Sequence, residues 1–205
     1  SGIGDLTYTA ATPIAQLLEE YIVAVTGGAG PIRSAQQFLE ILTAEPGRLS
    51  IAVAPGPGAG THLALAVLGQ RLGIDITALD IIPFSTAGQA ITAVVAGQPL
   101  VEAGRLRALG ITAPARLTAP FQDTPTWREL GHDAVFSNWR GIVAARGLRS
   151  EQVDYWSGIM RAVTESARWR RAVDTDFVVP GFMDAAASGR FLAEENLRMQ
   201  AMLRQ

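Results

Sequence analysis

The chain has 205 residues, with 17 basic side chains, all arginine, against 19 acidic ones, a formal net charge of −2 and no cysteine. The arginines are scattered, so no basic stripe marks a nucleic-acid surface, and without cysteine there are neither disulfides nor thiolate metal sites. A hydrophobic content of 48% is that of a globular chain long enough for one large domain or two small lobes, and no apolar run reaches the roughly 18 to 20 residues of a membrane span.

In chain order, Thr12-Pro13 interrupts regular structure, and residues 14–25 mix apolar side chains with Gln16, Glu19 and Glu20 in a pattern that fits helix or strand. Gly27-Gly28-Ala29-Gly30-Pro31 reads as a surface loop. A third anion-holding turn there is the weaker reading, because no strand-to-helix junction frames it directly. Ser34 caps a helix with an apolar face of Phe38, Ile41 and Leu42, which Pro46-Gly47 ends.

Residues 49–98 are the centre of the pattern. Leu49-Ser50-Ile51-Ala52-Val53-Ala54 predicts a short strand that breaks into Pro55-Gly56-Pro57-Gly58-Ala59-Gly60-Thr61; residues 62–72 then have helical composition up to a stop at Gly73. The unit repeats. Residues 76–84 are strand-like, Ser85-Thr86-Ala87-Gly88 is a turn with capping residues, and residues 89–95 form a small-residue helix closed by Gly97. Each turn sets backbone N–H groups at a helix start, where unsatisfied donors and the positive end of the helix dipole favour an anion. The plain alternative for either turn alone is a tight connection with an N-cap.

Three named sites do not fit these turns. A P-loop needs a lysine to grip phosphate, and the chain has none. A dinucleotide fingerprint needs a third glycine where Thr61 stands. A nucleophile elbow needs glycines two residues either side of its serine, where Ser85 has Pro83 and Ala87. No spacing places a base beside a nucleophile, and no His-x-x-x-His or carboxylate pair predicts a metal site. His62, in the first helical turn, is open to contact with an anion, to capping or to packing; His132 follows Gly131 in a surface turn.

Beyond the centre, residues 106–112 predict a buried strand, residues 113–125 a proline-punctuated loop, and Thr126 a cap for a short helix over 127–130 that stops at Gly131. Residues 134–144 are strand-like around Asn138-Trp139-Arg140-Gly141. Arg140 either offers its guanidinium to a second carboxylate or faces solvent or a structural acid. Ser150 caps a long helix with Val153, Trp156, Ile159, Met160 and Val163 on one face, ending in Arg168-Trp169-Arg170-Arg171 where the dipole favours cations. Residues 183–205 form a last helix.

Taken in order, Thr12-Pro13-Ile14-Ala15-Gln16-Leu17, the run from Ala54 through Gly56, Gly58-Ala59-Gly60-Thr61-His62, Ile82-Pro83-Phe84-Ser85-Thr86-Ala87-Gly88, Ala103-Gly104-Arg105-Leu106-Arg107, Asp123-Thr124-Pro125-Thr126 and Asn138-Trp139-Arg140-Gly141 resemble the solute-binding proteins of tripartite tricarboxylate transporters, the Bug family. The resemblance implies an α/β type II periplasmic-binding-protein fold, a two-lobed Venus flytrap with each lobe a β-sheet flanked by helices. Lobe 1 would comprise residues 1–23 and 140–205 and lobe 2 residues 24–139, with residues 14–25 a strand crossing between them. It implies a periplasmic receptor without enzyme activity or cofactor, taking a di- or tricarboxylate in the interlobe cleft for an integral-membrane permease. Its ligand contacts would be Gly58, Ala59, Gly60, Thr61, His62, Ser85, Thr86, Ala87, Gly88 and Arg140, with hydroxyls of Thr61, Ser85 and Thr86 fixing the ligand's orientation. It further implies residues before Ser1, a signal peptide among them, and between Gln98 and Pro99. The competing reading is an α/β enzyme holding a nucleotide or acyl phosphate at Gly56 to Thr61.

Overall fold

The structure, a computed structural model, describes residues 8–95, 106–176 and 178–202. Helices and strands alternate in an α/β arrangement. The chain divides into a continuous unit, Tyr21–Ser137, and a split unit made of Ser1–Glu20 and Asn138–Gln205. The stretch 14–25 is extended on both sides of Ile22: β1 (Ala11–Tyr21) pairs in one sheet and β2 (Val23–Gly27) in another.

In the continuous unit Ser34 caps α1 (Ala35–Ala44), its hydroxyl accepting the Gln37 N–H at 3.1 Å. Phe38, Leu39 and Leu42 are the large buried side chains of that helix, while Ile41 is half-exposed. After β3 (Ser50–Val53), α2 (Gly60–Leu72) ends at Gly73 with φ +68°, a left-handed conformation that costs only glycine little. The strand predicted over 76–84 is shorter. Asp75 accepts the Thr77 amide at 2.9 Å and starts a 3-10 turn over Ile76–Ala78, so only β4 (Asp80–Pro83) is extended. α3 (Ala87–Val95) completes the repeat, and the expectations at Gly97, Gln98 and Pro99 lie outside the described residues.

β5 (Leu106–Ile111) runs antiparallel to β2, with Val23 opposite Ile111 and Gly27 opposite Leu106. Gly110 is glycine for a packing reason: a Cβ there would lie 2.4 Å from the indole of Trp127, which is buried against Phe38 at a ring separation of 6.0 Å. The helix predicted over 127–130 is a single turn. Its cap is reciprocal, because Glu129 Oε2 accepts the Thr126 N–H at 2.9 Å while Thr126 Oγ1 accepts the Glu129 N–H at 3.1 Å. Gly131, at φ +89°, ends it.

The buried residue Thr112 ties together the segments by which the chain enters and leaves this unit. Its N–H donates to Ile22 O (3.0 Å) and its carbonyl accepts from Phe136 N–H (3.0 Å). Its hydroxyl accepts from Ile22 N–H (2.9 Å) and donates to Phe136 O (2.6 Å).

In the split unit β1 lies between β6 (Ser137–Ala145) and β7 (Val179–Met183). Gly141 of β6 lets the strands close up, since a Cβ there would stand 2.7 Å from Ala15 O. The single long helix predicted from Ser150 is two. α4 (Ser150–Glu165) stops at Ser166, whose hydroxyl accepts the Trp169 N–H at 3.1 Å and opens α5 (Ala167–Asp176). Arg168, Arg170 and Arg171 therefore sit near the start of a helix and not at the end of one. Of the predicted apolar face of α4, Trp156, Ile159 and Val163 are 48%, 37% and 42% exposed, while Val153 and Met160 are half-buried. Met183, expected in the last helix, closes β7 instead, because Asp184 caps α6 (Ala185–Met202) by accepting the Ala187 N–H at 2.9 Å.

Candidate functional site

β3 and β4 are parallel and in register, Ser50 opposite Asp80 and Val53 opposite Pro83. The chain therefore leaves both strands at the same carboxyl edge, one strand spacing apart, and from each it runs on into a helix start. The Phe84 N–H donates to Val53 O at 2.9 Å and carries the pairing one residue into the second turn.

The first turn is held by its own side chains. Thr61 Oγ1 accepts the Ala54 N–H at 3.1 Å and donates to Ala54 O at 2.7 Å. This hydroxyl, expected to orient a ligand, instead closes the loop on itself. His62 Nδ1 accepts the Gly58 N–H at 2.9 Å, so the Gly58 amide has a partner within the loop. Gly56 and Gly58 adopt φ +113° and +79°, which explains the glycines in this loop without any ligand. What remains is the helix start itself. The first donor within α2 is Leu63, to Ala59 O at 2.9 Å; the amides of Gly60, Thr61 and His62 have no acceptor in the helix.

At the second turn Thr86 is the cap. Its Oγ1 and O accept the amides of Gln89 and Ala90, each at 3.2 Å, so its hydroxyl too serves the helix. Ala87 and Gly88 begin α3. Ser85 is exposed and makes no hydrogen bond among the described residues, and Thr86 accepts without giving up its own O–H, so of the predicted three hydroxyls only that of Thr61 has its hydrogen engaged. No charged side chain lies on either turn, and the first turns of α2 and α3 contain no acid to oppose an anion. The local field comes from two helix starts.

Arg140 belongs to the split unit. Its guanidinium pairs with Glu20 Oε2 at 2.7 Å, and Asn138 donates to the same oxygen at 3.0 Å. Trp139 packs edge-on against Phe191, 5.7 Å between ring centres. The sequence thus located both helix starts, and it missed the loop's internal bonds because backbone partners such as Ala54 carry no sequence signature. Among the described residues no cluster of three histidines and acids could hold a metal.

The family model of the tripartite tricarboxylate transporter family receptor matches residues 5–205. No curated protein matches the chain. Among solved structures, a TctC solute-binding protein from Polaromonas superposes with a TM-score of 0.80 at 21% identity, covering 99% of this chain and 72% of that one. The periplasmic binding protein BugD gives 0.76 at 18%, covering 95% and 68%. A malate-bound protein from Rhodopseudomonas palustris gives 0.70 at 22%, covering 94% and 69%. At such identities the superpositions establish a shared periplasmic-binding-protein fold, whereas the family match rests on the sequence of nearly the whole chain: this protein belongs to the receptor family of the tripartite tricarboxylate transporters.

Proposed function

We propose that the chain is an extracytoplasmic solute receptor that binds a small di- or tricarboxylate without transforming it and passes it to the membrane permease of a tripartite tricarboxylate-type transporter. The observation that supports this reading is the parallel register of β3 and β4, from which the chain runs at the same edge into the starts of α2 and α3, with no acid in the first turn of either helix. A carboxylate there takes its hydrogen bonds from the amides of Gly60, Thr61 and His62 and from the Ser85 hydroxyl. Family membership supports the reading, as do relatives of the same fold solved with adipate and with malate. Arg140, paired with Glu20 through one nitrogen, keeps further N–H donors for a second carboxylate. A periplasmic location, export by an upstream signal, and residues 1–23 with 140–205 and 24–139 as the two lobes belong to the same proposal.

Calorimetry with malate, adipate, succinate and citrate, beside ATP and NAD, tests it. The expected result is one saturable site for an organic acid that is recovered unchanged, with Ser85→Trp weakening it at least about tenfold. Preferential binding of a nucleotide, or conversion of any ligand, favours the enzyme reading; unaltered affinity in Ser85→Trp removes the α3 turn from the site.

A further inference from the structure

The Gly27 to Pro31 loop, outside the site just described, gathers two arginines around one carbonyl. Arg33 Nη1 and Arg107 Nη2 both donate to Gly28 O, at 3.1 and 3.3 Å, so these nitrogens are no further apart than two hydrogen bonds laid end to end. Neither guanidinium has an acidic partner among the described residues. In the flanking segments residues 21–39 contain no aspartate or glutamate, nor do β5 and α3; the nearest acid to Arg107 in sequence, Glu102, lies outside the described residues. Glu40, the first acid of α1, accepts from Gln36 Nε2 at 3.4 Å. Among the described residues, two like charges are thus held together with no acid paired to either.

A second observation points the same way. Arg107 Nε is buried and has no acceptor among the described residues, and a buried donor left unpaired is costly enough that native structures rarely keep one without an occupant. Each guanidinium has given only one of its five N–H donors to Gly28. The remaining donors form two planar forks, the geometry that matches oxyanions bidentately.

We propose that Arg33 and Arg107 form a second anion site in the continuous unit, which takes an oxyanion of two negative charges, phosphate being the probe, independently of the organic acid at α2 and α3. The site sits where β2 ends and β5 begins, Gly27 opposite Leu106. Its specificity is for charge and oxygen count, since the loop between the arginines offers only backbone and small side chains.

Two-dimensional NMR of the arginine Nε–Hε groups, at constant ionic strength held with chloride, tests the proposal during titration with inorganic phosphate. Saturable shifts of the Arg107 and Arg33 signals are expected. The exposed Arg33→Gln should weaken phosphate about tenfold or more, as should Arg107→Gln if its thermal unfolding stays that of wild type; Arg33→Gln keeps the test decisive if Arg107→Gln is unstable. Ser85→Trp should leave phosphate binding unchanged, which separates this site from the proposed carboxylate site. Shifts that never saturate, or phosphate affinity unaltered by Arg33→Gln, would overturn the proposal and leave the arginines as staples of the loop. Anionic lipid vesicles form a further arm: phosphate-competitive binding to them assigns the anion to a headgroup, and its absence to a free ion.

Discussion

Thr61 shows how a residue proposed for ligand contact also has a structural task. Its hydroxyl bonds to both the N–H and the carbonyl of the buried residue Ala54, so it fixes where α2 begins relative to β3. Thr61→Val keeps the shape and strands two buried backbone groups. The expected loss is about 1 to 3 kcal/mol, read as a lower urea midpoint, with Thr61→Ser near wild type; equal midpoints for Val and wild type would show that the loop needs no such lock. The same logic applies to Gly58, whose amide is already accepted by His62. At this scale the sequence located the two turns and not the bonds inside them. A glycine-rich turn is required equally by an anion and by positive φ, and Gly56 and Gly58 show the second requirement.

Elements were legible where their ends carry chemistry. Ser34 and Gly73 bound α1 and α2 as predicted, because a hydroxyl acceptor and a left-handed glycine are local causes. Boundaries went astray where a polar residue's capping bond was not read from the sequence: Asp75 opens a 3-10 turn where the strand was expected to begin, and Ser166 splits one helix into α4 and α5. The turn at Thr126 is the reverse case, a correct cap with too few residues behind it to make a helix. Its Glu129 is bonded first to Arg116 Nε, at 2.8 Å, and then to the Thr126 amide, which together hold its carboxyl below the ordinary glutamate range. A depressed carboxyl contributes stability that is complete above its unfolded-state pKa and lost as pH falls through the lower folded one. Urea midpoints measured down through that acid range should therefore fall with pH in wild type, and the fall should be smaller in Glu129→Gln. An identical slope would show that the capping box carries no acid sensitivity.

On the scale of the molecule, burial is uneven. Among the described residues the split unit fully buries only Ile14, Ala15 and Val173 as apolar residues, and every other buried apolar residue belongs to the continuous unit. Sequence periodicity could not show this, since it reports which face of α4 is apolar and not whether anything covers it. Hydrogen exchange should follow the burial: amides of β5, packed beside Trp127, are expected to be the slowest to exchange and those of α4 and β6 markedly faster. Slower exchange in α4 than in β5 would contradict that order.

The four bonds of Thr112 have a topological consequence. Because Ile22 and Phe136 are both fastened to the same buried residue, the ends of the 117-residue stretch between Tyr21 and Ser137 lie side by side. A stretch with adjoining ends is one that gene rearrangement can lift out, insert into another host chain, or reopen at a new point, because a short peptide suffices to join them.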